Sequence, residues 1–207
     1  MKITKTNIEG LIIIEPDVFQ DSRGTFFESW NKKSFEEIGI NENFVQDNQS
    51  ISSTGVLRGL HFQNPPFAQA KLVSVIKGSV LDVAVDLRSN STTYGMHYSV
   101  ELNQNNHKLF FIPKGFAHGF VALEDDTIFS YKCSNFYNKD SEESLLWNDK
   151  DLAISWPIDN PIVSEKDAMA KSVSYTHLRA HETPEHLVCR RRGEKKKGGG
   201  GGGGGGG

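Results

Sequence analysis

Residues 71–87 read Lys71-Leu72-Val73-Ser74-Val75-Ile76-Lys77-Gly78-Ser79-Val80-Leu81-Asp82-Val83-Ala84-Val85-Asp86-Leu87. Two runs rich in β-branched residues flank one short turn, Lys77-Gly78-Ser79, which is a strand–turn–strand pattern. The second run alternates cleanly. Leu81, Val83, Val85 and Leu87 share one face, and Asp82 and Asp86 take the other. In the first run Lys71 has the parity of Val73 and Val75, so it points inward with them. An inward lysine calls for an anionic partner, a function, or a route along which its ammonium reaches water.

The same kind of segment recurs on both sides. Strands are predicted at 11–15, 25–28, 44–52, 56–63, 71–76, 80–87, 98–102, 108–112, 118–123 and 127–134. A spacing of about ten residues between short strands is the mark of an all-β sandwich or barrel. The turns at Lys77–Ser79, Asn103–Asn106 and Glu124–Asp126 each separate two apolar runs, and hairpins are expected there. Helix is sparse: Lys32–Ile38, stopped by Gly39, and a short second one opening at Ser164 and running to Met169.

From Ser172 the composition changes abruptly, passing through SYTHLRAHETPEHLVCRRRGEKKK into ten glycines. This stretch is similar to translated sequencing-adapter sequence followed by polyglycine, which buries no core and behaves as flexible coil. The expected organisation is therefore one domain over residues 1–171 and a non-native, disordered tail over 172–207. Seven of the 23 basic and three of the 26 acidic residues lie in that tail, so residues 1–171 carry a formal −7. A body so acidic has no general pull toward nucleic acid. No apolar run approaches the roughly 18 residues of a membrane span. Cysteine is scarce, with Cys133 alone in the body, and no secretory pattern opens the chain, so a cytoplasmic protein is expected.

Two segments put chemistry into apolar surroundings. Val56-Leu57-Arg58-Gly59-Leu60-His61-Phe62-Gln63 carries a cation, an imidazole and an amide in one strand. Burial of such groups is costly unless they are paired or used. Strict alternation separates Arg58 and His61 onto opposite faces, and a bulge at Gly59 is what brings them to one cavity. In Ile112-Pro113-Lys114-Gly115-Phe116-Ala117-His118-Gly119-Phe120, a histidine stands between small residues, where backbones pack closely. Tyr131 sits inward in Phe129-Ser130-Tyr131-Lys132-Cys133. Taken one at a time, the Arg58 and His61 segment favours function over one surface arginine and one core histidine, His118 is explained as well by a structural histidine as by a functional one, and Tyr131 is explained better as core.

Taken together and in order, the motifs are more specific. Asp21-Ser22-Arg23-Gly24, Phe26-Phe27-Glu28, Phe44-Val45-Gln46-Asp47-Asn48, VLRGLHFQ, Gln69-Ala70-Lys71-Leu72-Val73, IPKGFAHGF, Tyr131-Lys132-Cys133, Leu146-Trp147-Asn148-Asp149 and Ser164-Glu165-Lys166-Asp167 span the body. In this the chain resembles the dTDP-4-dehydrorhamnose 3,5-epimerase family over about residues 8–168. The resemblance implies a cupin-type jelly-roll β-barrel with a few short helices, acting on a dTDP-4-dehydro-6-deoxy sugar without cofactor or metal. It implies His61 as general base with Asp167 as its carboxylate partner, and Tyr131 as general acid on the opposite sugar face. Lys71 and His118 match positions around the ketone oxygen. Arg23, Glu28, Gln46, Asn48, Arg58, Glu142 and Lys166 match positions that hold nucleotide, diphosphate or sugar. It also implies a homodimer, in which Arg23 and Glu28 serve the neighbouring site. Gln49 departs from the family pattern, which has histidine there, and the family's last C-terminal segment is replaced by the foreign stretch.

These residue types suit proton transfer beside a ketone. A hydrogen on carbon flanking a carbonyl leaves as a proton if a base is positioned, and the charge collects on oxygen. Histidine titrates near working pH, a carboxylate fixes its tautomer, and tyrosine returns a proton from the other side. Three rivals remain at this stage. A metal-dependent cupin needs a histidine cluster, commonly with His-x-His, and residues 1–171 hold only His61, His97, His107 and His118, with no such pair. A single epimerase or a 3,4-ketoisomerase shares the base beside a ketone. A non-catalytic binding barrel has no use for His61, Lys71, Tyr131 and Asp167 together.

Overall fold

The computed structural model describes residues 1–174. Strands run over Lys2–Lys5 (β1), Ile12–Glu15 (β2), Val18–Asp21 (β3), Gly24–Phe27 (β4), Gln46–Ser52 (β5), Leu57–Gln63 (β6) and Lys71–Lys77 (β7). They continue over Ser79–Asp86 (β8), His97–Asn103 (β9), Leu109–Ile112 (β10), Phe116–Ala122 (β11), Thr127–Cys133 (β12) and Glu142–Ser144 (β13). Two short helices cover Lys32–Glu37 (α1) and Glu165–Ala168 (α2). All ten strands read from the sequence are present, and β1, β3 and β13 are additional.

The strands form a six-stranded sheet in the order β1-β2-β10-β7-β12-β5 and a five-stranded sheet in the order β13-β6-β11-β8-β9. Every ladder in them is antiparallel. The two sheets enclose a core of Ile8, Val73, Val80, Ala84, Phe110, Phe129 and their neighbours, which makes a jelly-roll barrel. Phe120 from one sheet stacks on Phe129 from the other, with ring centroids 4.0 Å apart. Among the described residues, no helix is long and apolar enough to cross a membrane.

The expected hairpins are corrected. Lys77–Ser79 joins β7 to β8, Asn103–Asn106 joins β9 to β10, and Glu124–Asp126 joins β11 to β12, and in each case the two strands lie in different sheets. These turns are corners at which the chain crosses from one layer to the other. Gly78 shows why the first corner is so tight. Its φ is +80°, and a Cβ there would lie 2.3 Å from Thr127 Oγ1 and 3.0 Å from Thr127 Cα. Local turn chemistry announces a reversal but does not say whether the returning strand pairs or crosses. The sequential hairpins are β1–β2, β3–β4 and β8–β9.

The alternation in β8 acquires its meaning here. Val83 and Val85 face outward, yet they are buried under the C-terminal segment with Leu60, Leu145, Leu152 and Val173. The barrel interior receives Val80, Ala84 and the two aspartates, and Asp82 and Asp86 are both fully buried. Asp86 is satisfied by the backbone and guanidinium of Arg88 and by the hydroxyls of Ser91 and Thr93. A third apolar cluster lies on the outer face of the six-stranded sheet, where Phe35 of α1 packs with Leu72, Leu109 and Phe111.

The helices follow their caps. Asn31 accepts from Lys33 N–H and Ser34 N–H to start α1, and Ile38 closes it before Gly39. Ser164 accepts from Asp167 N–H to start α2. Val173 is buried, and its N–H donates to Asp149 Oδ2 at 2.9 Å. The expectation of a disordered, non-native tail lies outside the described residues from position 175 onward.

Candidate active site

Strand β6 is shaped by its glycine. His118 pairs with His61 and Phe120 with Arg58, so two residues of β6 oppose Gly119 alone. This is a bulge at Gly59-Leu60, where the sequence calls for one. Gly59 has φ +122°, and a Cβ there would lie 2.6 Å from Gly119 Cα and 2.7 Å from His118 O. Only glycine fits, and the close approach of β6 and β11 sets His61 beside His118.

The bulge turns His61 into a cavity of about 300 Å³ between the two sheets. Its wall includes Gln46 and Asn48 from β5, His61 from β6, Lys71 from β7, Tyr131 from β12 and Glu142 from β13. Phe62, Gln63, Gln69, Cys133 and Tyr137, to which the sequence reading assigned no role, complete it. Tyr137 was the detectable omission, because it follows the inward run of β12 and lies five residues before Glu142.

His61 does not stand alone. Its Nε2 lies 2.6 Å from Oδ1 of Asp167, which is 3% exposed. Asp167 Oδ2 accepts from Gly59 N–H at 3.4 Å, so one carboxylate ties α2, the bulge and the imidazole together. Burial pushes this carboxyl up, but the His61 hydrogen bond and charge, with help from Gly59 and Ser164, leave it below the ordinary aspartate value. An ionised carboxylate only accepts, so Nε2 carries the proton and Nδ1 keeps a lone pair. That is the tautomer a base requires.

Tyr131 enters the cavity from the opposite sheet. Burial and the neighbouring Cys133 raise its phenol above the usual range, against the pull of Arg58. It therefore holds its proton at neutral pH. Lys71 shares the cavity, and burial lowers its ammonium while Cys133, Asp82 and Glu142 oppose that fall. At the rim, Glu142 takes Lys166 as an ion pair and accepts from the Tyr137 hydroxyl at 3.0 Å. Burial works against that carboxylate, and these two partners still bring it below its usual value. Gln46 Nε2 donates to Asn48 Oδ1 at 3.1 Å, which fixes both amides on the inner side of β5.

Other expected residues fall elsewhere. His118 is 6% exposed and is not among the residues lining the cavity; its Nε2 lies 2.8 Å from Asp82 Oδ2 and its ring stacks on Phe129. Arg58 is exposed beyond the wall and donates through Nε to Ser52 Oγ at 3.3 Å. Arg23 sits on the β3–β4 hairpin, where it pairs with Asp21, and Glu28 accepts from Asn31, so neither reaches the cavity of its own chain. Gln49 is exposed, while Gln46 and Asn48 on the same strand line the cavity, so the departure at 49 falls on the strand's outer side. Among the described residues no group of three or more His, Cys, Asp or Glu is placed to hold a metal ion.

The chain is similar to known proteins over nearly all of its described residues. The family model for dTDP-4-dehydrorhamnose 3,5-epimerase matches residues 5–174. The chain is 51% identical to the dTDP-4-dehydrorhamnose 3,5-epimerase of Shigella flexneri over 168 residues, covering 81% of this chain and 93% of that one. It superposes on the crystal structure of the same-named enzyme from Elizabethkingia anophelis with a TM-score of 0.82 at 55% identity, covering 84% of this chain and 97% of that one. A Legionella pneumophila dTDP-6-deoxy-D-glucose-3,5-epimerase, solved in complex with dTDP-4-keto-L-rhamnose, gives a TM-score of 0.81 at 48% identity, covering 84% and 93%. By sequence, fold and extent of match, the chain belongs to the dTDP-4-dehydrorhamnose 3,5-epimerase family.

Proposed function

We propose that the chain inverts C3 and C5 of dTDP-4-dehydro-6-deoxy-D-glucose to give dTDP-4-dehydro-L-rhamnose, a step toward dTDP-L-rhamnose. The observation that carries this reading is the facing of the His61–Asp167 pair and Tyr131 across one cavity. His61 Nδ1 takes the proton from a carbon flanking the C4 ketone, and Asp167 steadies the imidazolium that forms. Charge moves to the ketone oxygen, where the Lys71 ammonium meets it. Tyr131 returns a proton on the other face, and the carbon inverts. His61 then releases its proton to water and Tyr131 takes one back through the open cavity, and the second flanking carbon repeats the cycle. Protons leave and return, so the reaction needs no electron carrier. Gln46, Asn48, Glu142 and Lys166 surround the sugar, and Arg58 outside the wall takes the diphosphate.

Arg23 and Glu28 complete the site only in a pair of chains. Phe19 is 65% exposed and Phe26 71% exposed on the β3–β4 hairpin, apolar area that a second copy would cover. A homodimer in which each hairpin reaches its neighbour's cavity uses both features. Mixing Arg23→Ala chains with His61→Ala chains tests it: activity returns in hybrids if Arg23 crosses over, and stays absent if each chain serves itself. Residues 1–171 are taken as the catalytic domain. A reducing cytoplasm fits a body whose one cysteine, Cys133, is buried and free.

The deciding experiment is NMR of dTDP-4-dehydro-6-deoxy-D-glucose with the protein in heavy water. Deuterium at both C3 and C5 of an L-rhamno product is expected. Deuterium at C3 alone would make the chain a single epimerase, and conversion to a 3-keto sugar would make it a ketoisomerase.

A further inference from the structure

The motif Leu146-Trp147-Asn148-Asp149 has no part in the cavity wall, yet its aspartate is buried, only 5% exposed. Asp149 Oδ1 accepts from Asp151 N–H at 2.8 Å and from Leu152 N–H at 3.2 Å, inside its own turn. Its Oδ2 accepts from Val173 N–H at 2.9 Å, and Ser172 adds a side-chain hydrogen bond. One carboxylate thus joins the turn after β13 to the C-terminal stretch. Burial works against its charge, and these four donors still bring it below the ordinary aspartate value.

The stretch so held carries Asp167. Helix α2 has four residues, far short of the length at which a helix sustains itself. Its place is therefore decided by what holds the chain before and after it. Before it, Ile162 N–H donates to Gly55 O at 2.8 Å and Leu57 N–H donates to Ile162 O at 2.9 Å, which fastens that side to the start of β6, the strand of His61. After it, Leu146 N–H donates to Lys171 O at 2.8 Å, and Val173 then reaches Asp149. Asp167 lies between these fastenings, with Oδ1 at 2.6 Å from His61 Nε2.

We infer that Asp149 is a positioning residue: its carboxylate fastens the C-terminal strap, and the strap sets Asp167 against His61. Asp149 touches neither the sugar nor the imidazole. This rests on the reading of His61 and Asp167 as base and partner, and it adds what fixes their geometry. The strap is also held by burial of Leu152 and Val173 with Leu60 and Leu145. Apolar burial is non-directional, whereas the His61–Asp167 contact depends on distance and angle. The hydrogen bonds to Asp149 supply that direction. An asparagine at 149 cannot replace them, because it has a single carbonyl oxygen. Turned toward Asp151 and Leu152, it presents its NH₂ to Val173 N–H; turned the other way, it presents its NH₂ to the turn.

The test compares Asp149→Asn with wild type in the full chain. Its kcat is expected to fall about 100-fold, the cost of a displaced catalytic partner. KM should stay within about threefold, because Asp149 does not line the cavity. In an Asp167→Asn background the same change should cost less than about threefold more, since its effect passes through Asp167. A folded Asp149→Asn protein with wild-type kcat overturns the inference. So does a double variant that loses the whole factor again, because a general loss of structure multiplies in any background. The low-field proton resonance of the His61–Asp167 hydrogen bond, identified by its loss in His61→Ala, reads the geometry apart from turnover. It should vanish in Asp149→Asn, and an unchanged resonance contradicts the inference. If Asp149→Asn does not fold, Val173→Pro carries the test, because it removes the donated N–H and leaves Asp149 its own turn. The same losses of kcat and of the resonance are expected, and wild-type values overturn the inference. A resonance lost in Asp149→Asn of a chain that does not epimerise would sink the proposed reaction and leave the strap standing.

Discussion

Replacing Asp167 by asparagine changes one atom and should nearly abolish turnover. In the wild type, Oδ1 lies 2.6 Å from His61 Nε2 while Oδ2 accepts from Gly59 N–H at 3.4 Å. An asparagine can satisfy only one of these. With its carbonyl toward His61, its NH₂ faces the Gly59 N–H, donor against donor, at a cost of about 1–3 kcal/mol for a buried group left unpaired. With its NH₂ toward His61, it donates to Nε2, and the imidazole proton moves to Nδ1, the nitrogen that must accept from the sugar. Either orientation also removes the negative charge beside the developing imidazolium. An Asp→Asn change behind a catalytic histidine costs about 10⁴ in kcat in the serine-protease triad. A solvent-accessible cavity softens this, and a loss of about 10³-fold or more is expected here, with KM changed less than fivefold (on the order of 1 kcal/mol) because Asp167 does not line the cavity. Initial rates at saturating substrate, with circular dichroism to verify folding, measure it. A folded Asp167→Asn enzyme within tenfold of wild-type kcat would refute the assignment of His61 as an aspartate-oriented base.

Gly59→Ala should destabilise the barrel by about 3 kcal/mol or more, since strained φ and backbone overlap add; a denaturant midpoint unchanged from wild type would remove the bulge argument. Asp86 titrates at about 2 in the folded chain against an ordinary 3.8. Its pairing therefore contributes about 2 kcal/mol above pH 4, and this is lost as pH falls from 4 through 2. Asp86→Asn should be less stable at pH 7 and should lose that part of the acid dependence; an identical pH profile of the unfolding midpoint contradicts it. Glu142→Gln releases Lys166 and Tyr137 together, so KM should rise about tenfold (about 1.4 kcal/mol) with kcat affected less; unchanged KM removes these residues from substrate binding.

Much of the barrel was legible because half-buried strands write their parity into sequence. Lys71 with Val73 and Val75, and Phe129 with Tyr131 and Cys133, point as the alternation requires. The Gly59 bulge was legible too, although of the two residues it was meant to bring to one cavity only His61 lines it and Arg58 lies outside the wall. Two things were hidden. The corner turns look like hairpin turns, since sheet membership depends on long-range pairing that no local residue encodes. Parity put the carboxylates of β8 on the face opposite Leu81, Val83, Val85 and Leu87 but could not say that both sides of the strand are covered and that the apolar side faces the C-terminal segment. Asp82 was placed on its face but given no role for that reason. His118 was legible as unusual but not as a residue held behind the cavity wall.

The most direct measurement of the account follows hydrogen exchange in heavy water with Tyr131→Phe and His61→Ala. Loss of the base alone stops every proton transfer, and loss of the acid alone stops only the return from the far face. His61→Ala should show no deuterium at C3 or C5, and Tyr131→Phe should exchange deuterium into the starting sugar without making the inverted product. Inverted product from Tyr131→Phe at the wild-type rate, or exchange persisting in His61→Ala, would contradict an imidazole and a phenol working on opposite faces of one sugar.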